Sequence, residues 1–242
     1  MTTPGLAAVL WDMDGTLVDT EPYWMAAETE LIGSFGGTWT HEQALTLVGA
    51  GLEDSARVIQ SAGVRMSEER IIQWLTDSVM TRLQSDEGHG GPDPFRPGAR
   101  ELLRSLRDAG IPTALVTMSR RRMAEIIVGR IGFDAFDLVL GGDDVTRPKP
   151  FPDPYLRACE VLEVRPSDAV AIEDSPNGLR SAVAAGAVSL GVPLMLSLEG
   201  VGAHELWPTL QGRTADDLRA LHARHARDER TSACDVDRRE SK

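Results

Sequence analysis

A chain of 242 residues, 42% hydrophobic and 26% charged, has the composition of a folded protein and the length for an α/β core plus a smaller second unit. Its 37 acidic residues outnumber 25 basic ones, and the net charge of −12 disfavours nucleic acid and anionic membrane as partners. No apolar run approaches the roughly 18 residues a bilayer demands, no basic and apolar leader opens the chain, and Cys159 and Cys234 stand far apart, so a cytoplasmic location is expected. The first element is a short apolar run, Ala7 to Trp11, which stops at Asp12 and predicts a buried strand. Glu21 to Asp86 then reads as three or four helices with no strand run. A glycine- and proline-rich stretch, Gly88 to Pro94, is expected to be a hinge. From Pro97 onward helices and strands alternate. A helix opening at Pro97 and closing near Gly110 precedes a strand at Thr113–Val116, and further strand runs lie at Asp137–Leu140, Ala169–Ile172 and Ala187–Val192. Between them, helices are expected over Arg121–Ile131, Pro154–Leu162 and Asn177–Ala185. Thr214 can start a last helix that reaches about His225, and the polar tail beyond Arg227 is expected to be disordered.

This order implies an α/β fold: a Rossmann-like parallel sheet with a small helical domain inserted after the first strand. The core would comprise residues 1–20 and 95–227, the helical insert with its hinges 21–94, and the tail 228–242. Ligands of such sheets bind at the carboxyl ends of the strands. Asp12 and Asp14, Thr117 and Ser119, and Glu173 and Asp174 should therefore converge.

Asp12-Met13-Asp14-Gly15-Thr16 carries the strongest chemical signal. Residues i and i+2 of an extended segment project to one side, so both carboxylates can face one site, and Gly15 lets the chain turn. One carboxylate can attack phosphorus while a second carboxyl moves protons. A calcium loop of the EF-hand kind fits poorly, because Leu17 stands where its glycine should be. Glu173-Asp174 closes another strand, and with Asp12 it offers the hard oxygen ligands that Mg²⁺ prefers. Only two of the 25 basic residues are lysines, Lys149 and Lys242. A compact ammonium at Lys149, in Arg147-Pro148-Lys149-Pro150, fits beside carboxylates and phosphate where a planar guanidinium would not; the prolines should keep that segment extended.

In this order the residues resemble the haloacid dehalogenase-like hydrolases, over Ala8 to about Gly191. Asp12-Met13-Asp14-Gly15-Thr16-Leu17-Val18-Asp19-Thr20-Glu21 is similar to the first motif and Thr117 to the second. Lys149 in Lys149-Pro150-x-Pro152-Asp153 is similar to the third, and Glu173-Asp174-Ser175 with Gly178 to the fourth. The resemblance implies that Asp12 is the nucleophile and a Mg²⁺ ligand. It implies that Asp14 ligates through its backbone carbonyl and serves as acid and base with its side chain. Thr117, Lys149 and the Met118 amide would hold the phosphate, Asp174 would bind metal directly and Glu173 would support it. The helical insert would be a cap over a small phosphorylated metabolite, with specificity expected at Glu21, at Gly49 within Val48–Ser55, and at Arg57.

A Mg²⁺-dependent phosphatase acting through an aspartyl phosphate, as a monomer or weak dimer, is the reading this favours. A receiver-like phospho-acceptor would place the acidic pair first, and here it comes last. Asp14 argues against a dehalogenase, and the absence of any lysine from the insert argues against a phosphonate hydrolase using a Schiff base. A β-phosphoglucomutase-like enzyme shares the core chemistry but must hold a second phosphate in the cap. Glu21 to Asp86 offers four arginines, Arg57, Arg65, Arg70 and Arg82, against ten acidic residues.

Overall fold

Alternation along the first strand decides the layering. In β1 (Ala8–Trp11), Val9 and Trp11 join one buried cluster and Ala8 and Leu10 the other, as the period of two in a pleated strand requires. The computed structural model describes residues 5–88 and 93–225, with the backbone alone for 86–88. The expected hinge residues 89–92 and the tail 228–242 lie outside the described residues.

After β1 the chain enters a helical insert of α1 (Glu21–Ser34), α2 (His41–Leu45), α3 (Leu52–Ser61) and α4 (Glu68–Gly88). It then builds α5 (Ala99–Asp108), β2 (Thr113–Val116), α6 (Arg121–Gly129), β3 (Leu138–Leu140), α7 (Asp153–Val161), β4 (Ala169–Glu173), α8 (Pro176–Ala185), β5 (Val188–Gly191) and β6 (Glu205–Leu206). A final helix, α9, spans residues 215–225. All strand pairs are parallel, in the order β3-β2-β1-β4-β5-β6. The sheet is Rossmann-like, with its change of direction between β1 and β4.

The two faces of the sheet differ in bulk. Val9, Trp11, Val170, Ile172 and Leu190 lie on the side packed by α5, α6, α9 and the insert. Ala8, Ala114, Ala169 and Ala171 line the other side, against Tyr155 and Ala158 of α7 and Ala182 and Ala185 of α8. Small residues on both partners let α7 and α8 lie close to the strands.

Two expectations need correction, and one strand was not expected. Helix α5 starts at Ala99, not Pro97, because Gly98 takes a left-handed backbone, φ +84°, and Pro97 lies in the turn before it. Lys149-Pro150 is a turn rather than extended chain, with the Phe151 N–H donating to the Pro148 carbonyl at 3.0 Å. The two-residue strand β6 carries no pattern that sequence could reveal; it is held by pairing of Leu190 with Glu205 and by burial of Trp207.

Candidate active site

Three strand ends build the site. β1 delivers Asp12, β2 delivers Thr117, and β4 ends on Glu173 with Asp174 next, so the parallel register alone brings them together. Asp12, Thr117, Glu173 and Asp174 are all buried.

Lys149 reaches in from the loop before α7. Its Nζ donates to Asp12 Oδ1 at 2.7 Å, Glu173 Oε1 at 2.6 Å and the Val116 carbonyl at 2.9 Å. Tyr155 of α7 donates its hydroxyl to the same Glu173 oxygen at 2.6 Å, and Ser175 Oγ reaches Glu173 Oε2 at 3.2 Å. Burial alone would lower the Lys149 pKa, but the Asp12 and Glu173 carboxylates outweigh it and hold the ammonium above its ordinary value. Burial, reinforced by the charge on Glu173, raises Asp12 to about 7 despite Lys149. Burial and the charges on Asp12 and Glu173 likewise push Asp174 well above the usual carboxylate range.

Burial comes first in both upward shifts, and crowding adds to it, because three carboxylates gather around one ammonium. Oxygen atoms of Asp12, Glu173 and Asp174 lie within 4.8 Å of one another. Asp174 Oδ1 accepts a long bond, 3.4 Å, from Thr16 Oγ1, while its Oδ2 is buried without a partner among the described residues. An all-oxygen donor set with excess negative charge and an orphaned oxygen fits a hard divalent cation. Gly15 makes room for it. Its φ is +85°, and a Cβ there would stand 2.0 Å from Asp174 Oδ2.

Asp14 is set apart from this trio. Oδ1 accepts from Thr20 Oγ1 and from Trp24 Nε1 at 3.2 Å, and Oδ2 accepts from Ser119 Oγ at 2.7 Å and Thr117 Oγ1 at 3.2 Å. Two carboxyl groups two residues apart thus sit in different settings, one beside an ammonium and one among hydroxyls. The Met118 N–H has no hydrogen-bond partner among the described residues, and Met118 lines the same cavity.

The insert closes the site from above. The cavity, about 80 Å³, is bounded by Asp12, Asp14, Thr117 and Lys149 at the sheet end and by Glu21, Gly49 and other insert residues opposite. Glu21 is 7% exposed at the start of α1. Gly49 touches the sheet side closely: its carbonyl accepts from Asn177 Nδ2 at 3.2 Å, and a Cβ on it would stand 2.5 Å from Ser175 Cβ. Arg57 is elsewhere. It lies on the exposed side of α3, paired with Asp54 and with Glu68 at 3.0 Å, and does not line this cavity. The cation picked out of the insert is bound by its own acidic neighbours.

A family model for haloacid dehalogenase-like hydrolases matches residues 6–186, three quarters of the chain. The chain belongs to the haloacid dehalogenase-like hydrolases. Within that family it is 31% identical over 201 residues to Protein CbbY of Cereibacter sphaeroides, covering 75% of this chain and 81% of that one. It is 30% identical over 186 residues to a phosphorylated carbohydrates phosphatase of Thermotoga maritima, covering 75% and 82%. Among solved structures, a variant of CbbY from Rhodobacter sphaeroides in complex with xylulose 1,5-bisphosphate superposes with a TM-score of 0.76 at 28% identity, covering 86% of this chain and 96% of that chain. Family and relatives together make the chain a phosphatase.

Several residues of the haloacid dehalogenase-like site escape a motif reading. Trp24 and Glu28 stand three and seven residues after Glu21, so helical spacing puts them on its face. Ser119 and Tyr155 hold Asp14 and Glu173 through single hydroxyl groups, for which the sequence has no pattern.

Proposed function

We propose that this chain is a Mg²⁺-dependent phosphomonoesterase that removes phosphate from a small phosphorylated metabolite, a sugar phosphate or similar, through a phosphate ester on Asp12. The observation that carries this is the division of labour between Asp12 and Asp14. Asp12 lies in the buried trio with Lys149, and Asp14 stands among hydroxyls at the sheet end of the cavity.

In this reading one Asp12 oxygen attacks phosphorus, the bond to the alcohol oxygen breaks, and Asp14 delivers the proton that the departing alkoxide needs. Asp14 then takes a proton from water, whose oxygen attacks the acyl phosphate; the P–O bond to Asp12 breaks and inorganic phosphate leaves. Lys149, Thr117 and the Met118 N–H hold the phosphoryl oxygens. Asp12, Asp174 and the backbone carbonyl of Asp14 would hold Mg²⁺, with Glu173 behind them, and its charge would neutralise the phosphoryl group in an otherwise acidic site. The helical insert serves as the cap, which keeps bulk water and large molecules out.

The relatives include a phosphatase of phosphorylated carbohydrates and a CbbY crystallised with a sugar bisphosphate. Among the described residues, Lys149 is the only Lys or Arg that lines the cavity, and it is occupied at the sheet end. A second phosphate on the leaving group would find no charged donor, which favours a monophosphate and weighs against a mutase. The deciding experiment is phosphate release from a panel of phosphorylated metabolites, with Mg²⁺ and with chelator. Turnover that needs Mg²⁺ supports the proposal. Rapid interconversion of hexose 1- and 6-phosphates with little free phosphate would overturn it.

A further inference from the structure

The insert side of the cavity contains polar groups that the phosphoryl chemistry does not use. Glu21 and Glu28 stand two turns apart on α1 and line the cavity together. Glu28 is 5% exposed. Its Oε2 accepts a hydrogen bond from Trp39 Nε1 at 3.0 Å, which fixes the carboxyl, and its Oε1 has no hydrogen-bond partner among the described residues. Ser55 Oγ, from α3, faces the same cavity and also has no partner among the described residues. Around them the wall is apolar, from Leu47, Leu52 and Leu75.

Glu28 and Ser55 both line the cavity with hydrogen-bonding capacity that no described residue takes up, and a ligand's polar groups can use it. A second anion is unsuited here, because neither Glu21 nor Glu28 has a cation in the cavity to offset it. Burial lifts the Glu28 pKa to about 7 against the bond from Trp39, so near neutrality the carboxyl can donate as well as accept. Hydroxyl groups match that dual character, and the leucines match the carbon face of a ring or chain.

We propose that Glu28, fixed by Trp39 and flanked by Glu21 and Ser55, selects substrates whose leaving group is an uncharged polyhydroxyl carbon skeleton, through hydrogen bonds to hydroxyls remote from the phosphoester. The inference rests on the phosphatase reading above and names the residues that select the leaving group. Glu28 touches the leaving group, not the reacting atoms, and acts on specificity.

The test uses the full chain with Mg²⁺ and compares wild type with Glu28→Gln, Glu28→Leu and Trp39→Phe. Substrates are sugar and polyol monophosphates, ribonucleoside 5′-monophosphates, deoxy analogues of whichever is best, phosphoethanolamine, a sugar bisphosphate and p-nitrophenyl phosphate. We expect wild type to prefer a hydroxylated monophosphate. In Glu28→Leu, kcat/KM for that substrate relative to p-nitrophenyl phosphate should fall at least tenfold, mainly through KM. Glu28→Gln and Trp39→Phe should show smaller losses in the same ratio, and they carry the test if Glu28→Leu does not fold. Deleting the contacted hydroxyl should cost wild type far more than Glu28→Leu. An unchanged ratio in all variants, or a wild-type preference for the amine or the bisphosphate, overturns the inference while leaving the phosphatase standing. A wild type inert on every substrate, p-nitrophenyl phosphate included, takes the phosphatase reading down with it.

Discussion

Trp24 Nε1 donates a hydrogen bond to Asp14 Oδ1 at 3.2 Å, so a residue of the helical insert holds the carboxyl group to which we assign the proton transfers. The contact couples the position of the insert to the site. Arg120 with Glu69 at 2.9 Å and Arg122 with Asp77 at 2.8 Å join the same two parts nearer the surface, where ion pairs contribute little. Replacing Trp24 by Phe keeps the ring and removes the donor. Because Thr20, Ser119 and Thr117 still hold Asp14, kcat should fall only about 3- to 10-fold, with little change in melting temperature. An unchanged kcat would mean that Trp24 packs but does not position.

Asp12→Asn keeps the shape of the side chain and an oxygen that can accept from Lys149. It removes the group to which the proposed mechanism assigns the attack. Phosphate release should drop by more than about 10³-fold while the circular dichroism spectrum is retained. Activity above a tenth of wild type, with deamidation excluded by mass spectrometry, would take Asp12 out of the nucleophile's role.

The crowding of Asp12, Glu173 and Asp174 around one lysine predicts opposite effects of one substitution with and without metal. In chelator, Asp174→Asn should melt at or above wild type, because a like charge is gone. In millimolar Mg²⁺ wild type should gain several degrees and the variant little, since ligand binding stabilises only the state that binds it. Equal Mg²⁺ shifts in both proteins would place the metal elsewhere.

Glu28 gives a pH signature independent of turnover. Its pKa is raised from 4.5 to about 7, chiefly by burial, with Trp39 opposing. A raised carboxyl pKa favours the protonated folded form, so Glu28 costs nothing below about pH 4.5 and an increasing amount as pH rises through 7. Glu28→Gln should therefore melt above wild type at pH 8, by at most about 3 kcal/mol of stability, and match it at pH 4.5. A difference independent of pH would show that the carboxyl titrates normally in the folded protein.

How far the sequence goes can be judged residue by residue. Apolar runs that stop at acidic or hydroxyl residues located five of the six strands within two residues at either end, since buried parallel strands are nearly continuous hydrophobic runs. The convergence of Asp12, Thr117 and Asp174 follows from parallel order alone. Lys149 was legible through its rarity in an arginine-rich chain. Arg57 was misplaced for an understandable reason: a count of charges in the insert cannot tell that Asp54 and Glu68 already claim it. Glu28 was overlooked because a carboxylate on a helix usually faces water, and only packing of Trp39 over it shows otherwise.

The alanines on the thinner side of the sheet have a bearing on chemistry that motifs do not record. Glu173 projects to the same side as Ala171, and Tyr155 reaches it from α7, which packs on β2, β3 and α8 with Ala114, Ala158 and Ala182 in the shared cluster. The stand-off between helix and strand is thus the ruler that sets where the phenol, the Glu173 carboxylate and finally the Lys149 ammonium come to rest. Adding bulk at one of these alanines would move no charged group by itself, yet it would lengthen that ruler. The site is calibrated from behind, by residues whose contribution is their smallness.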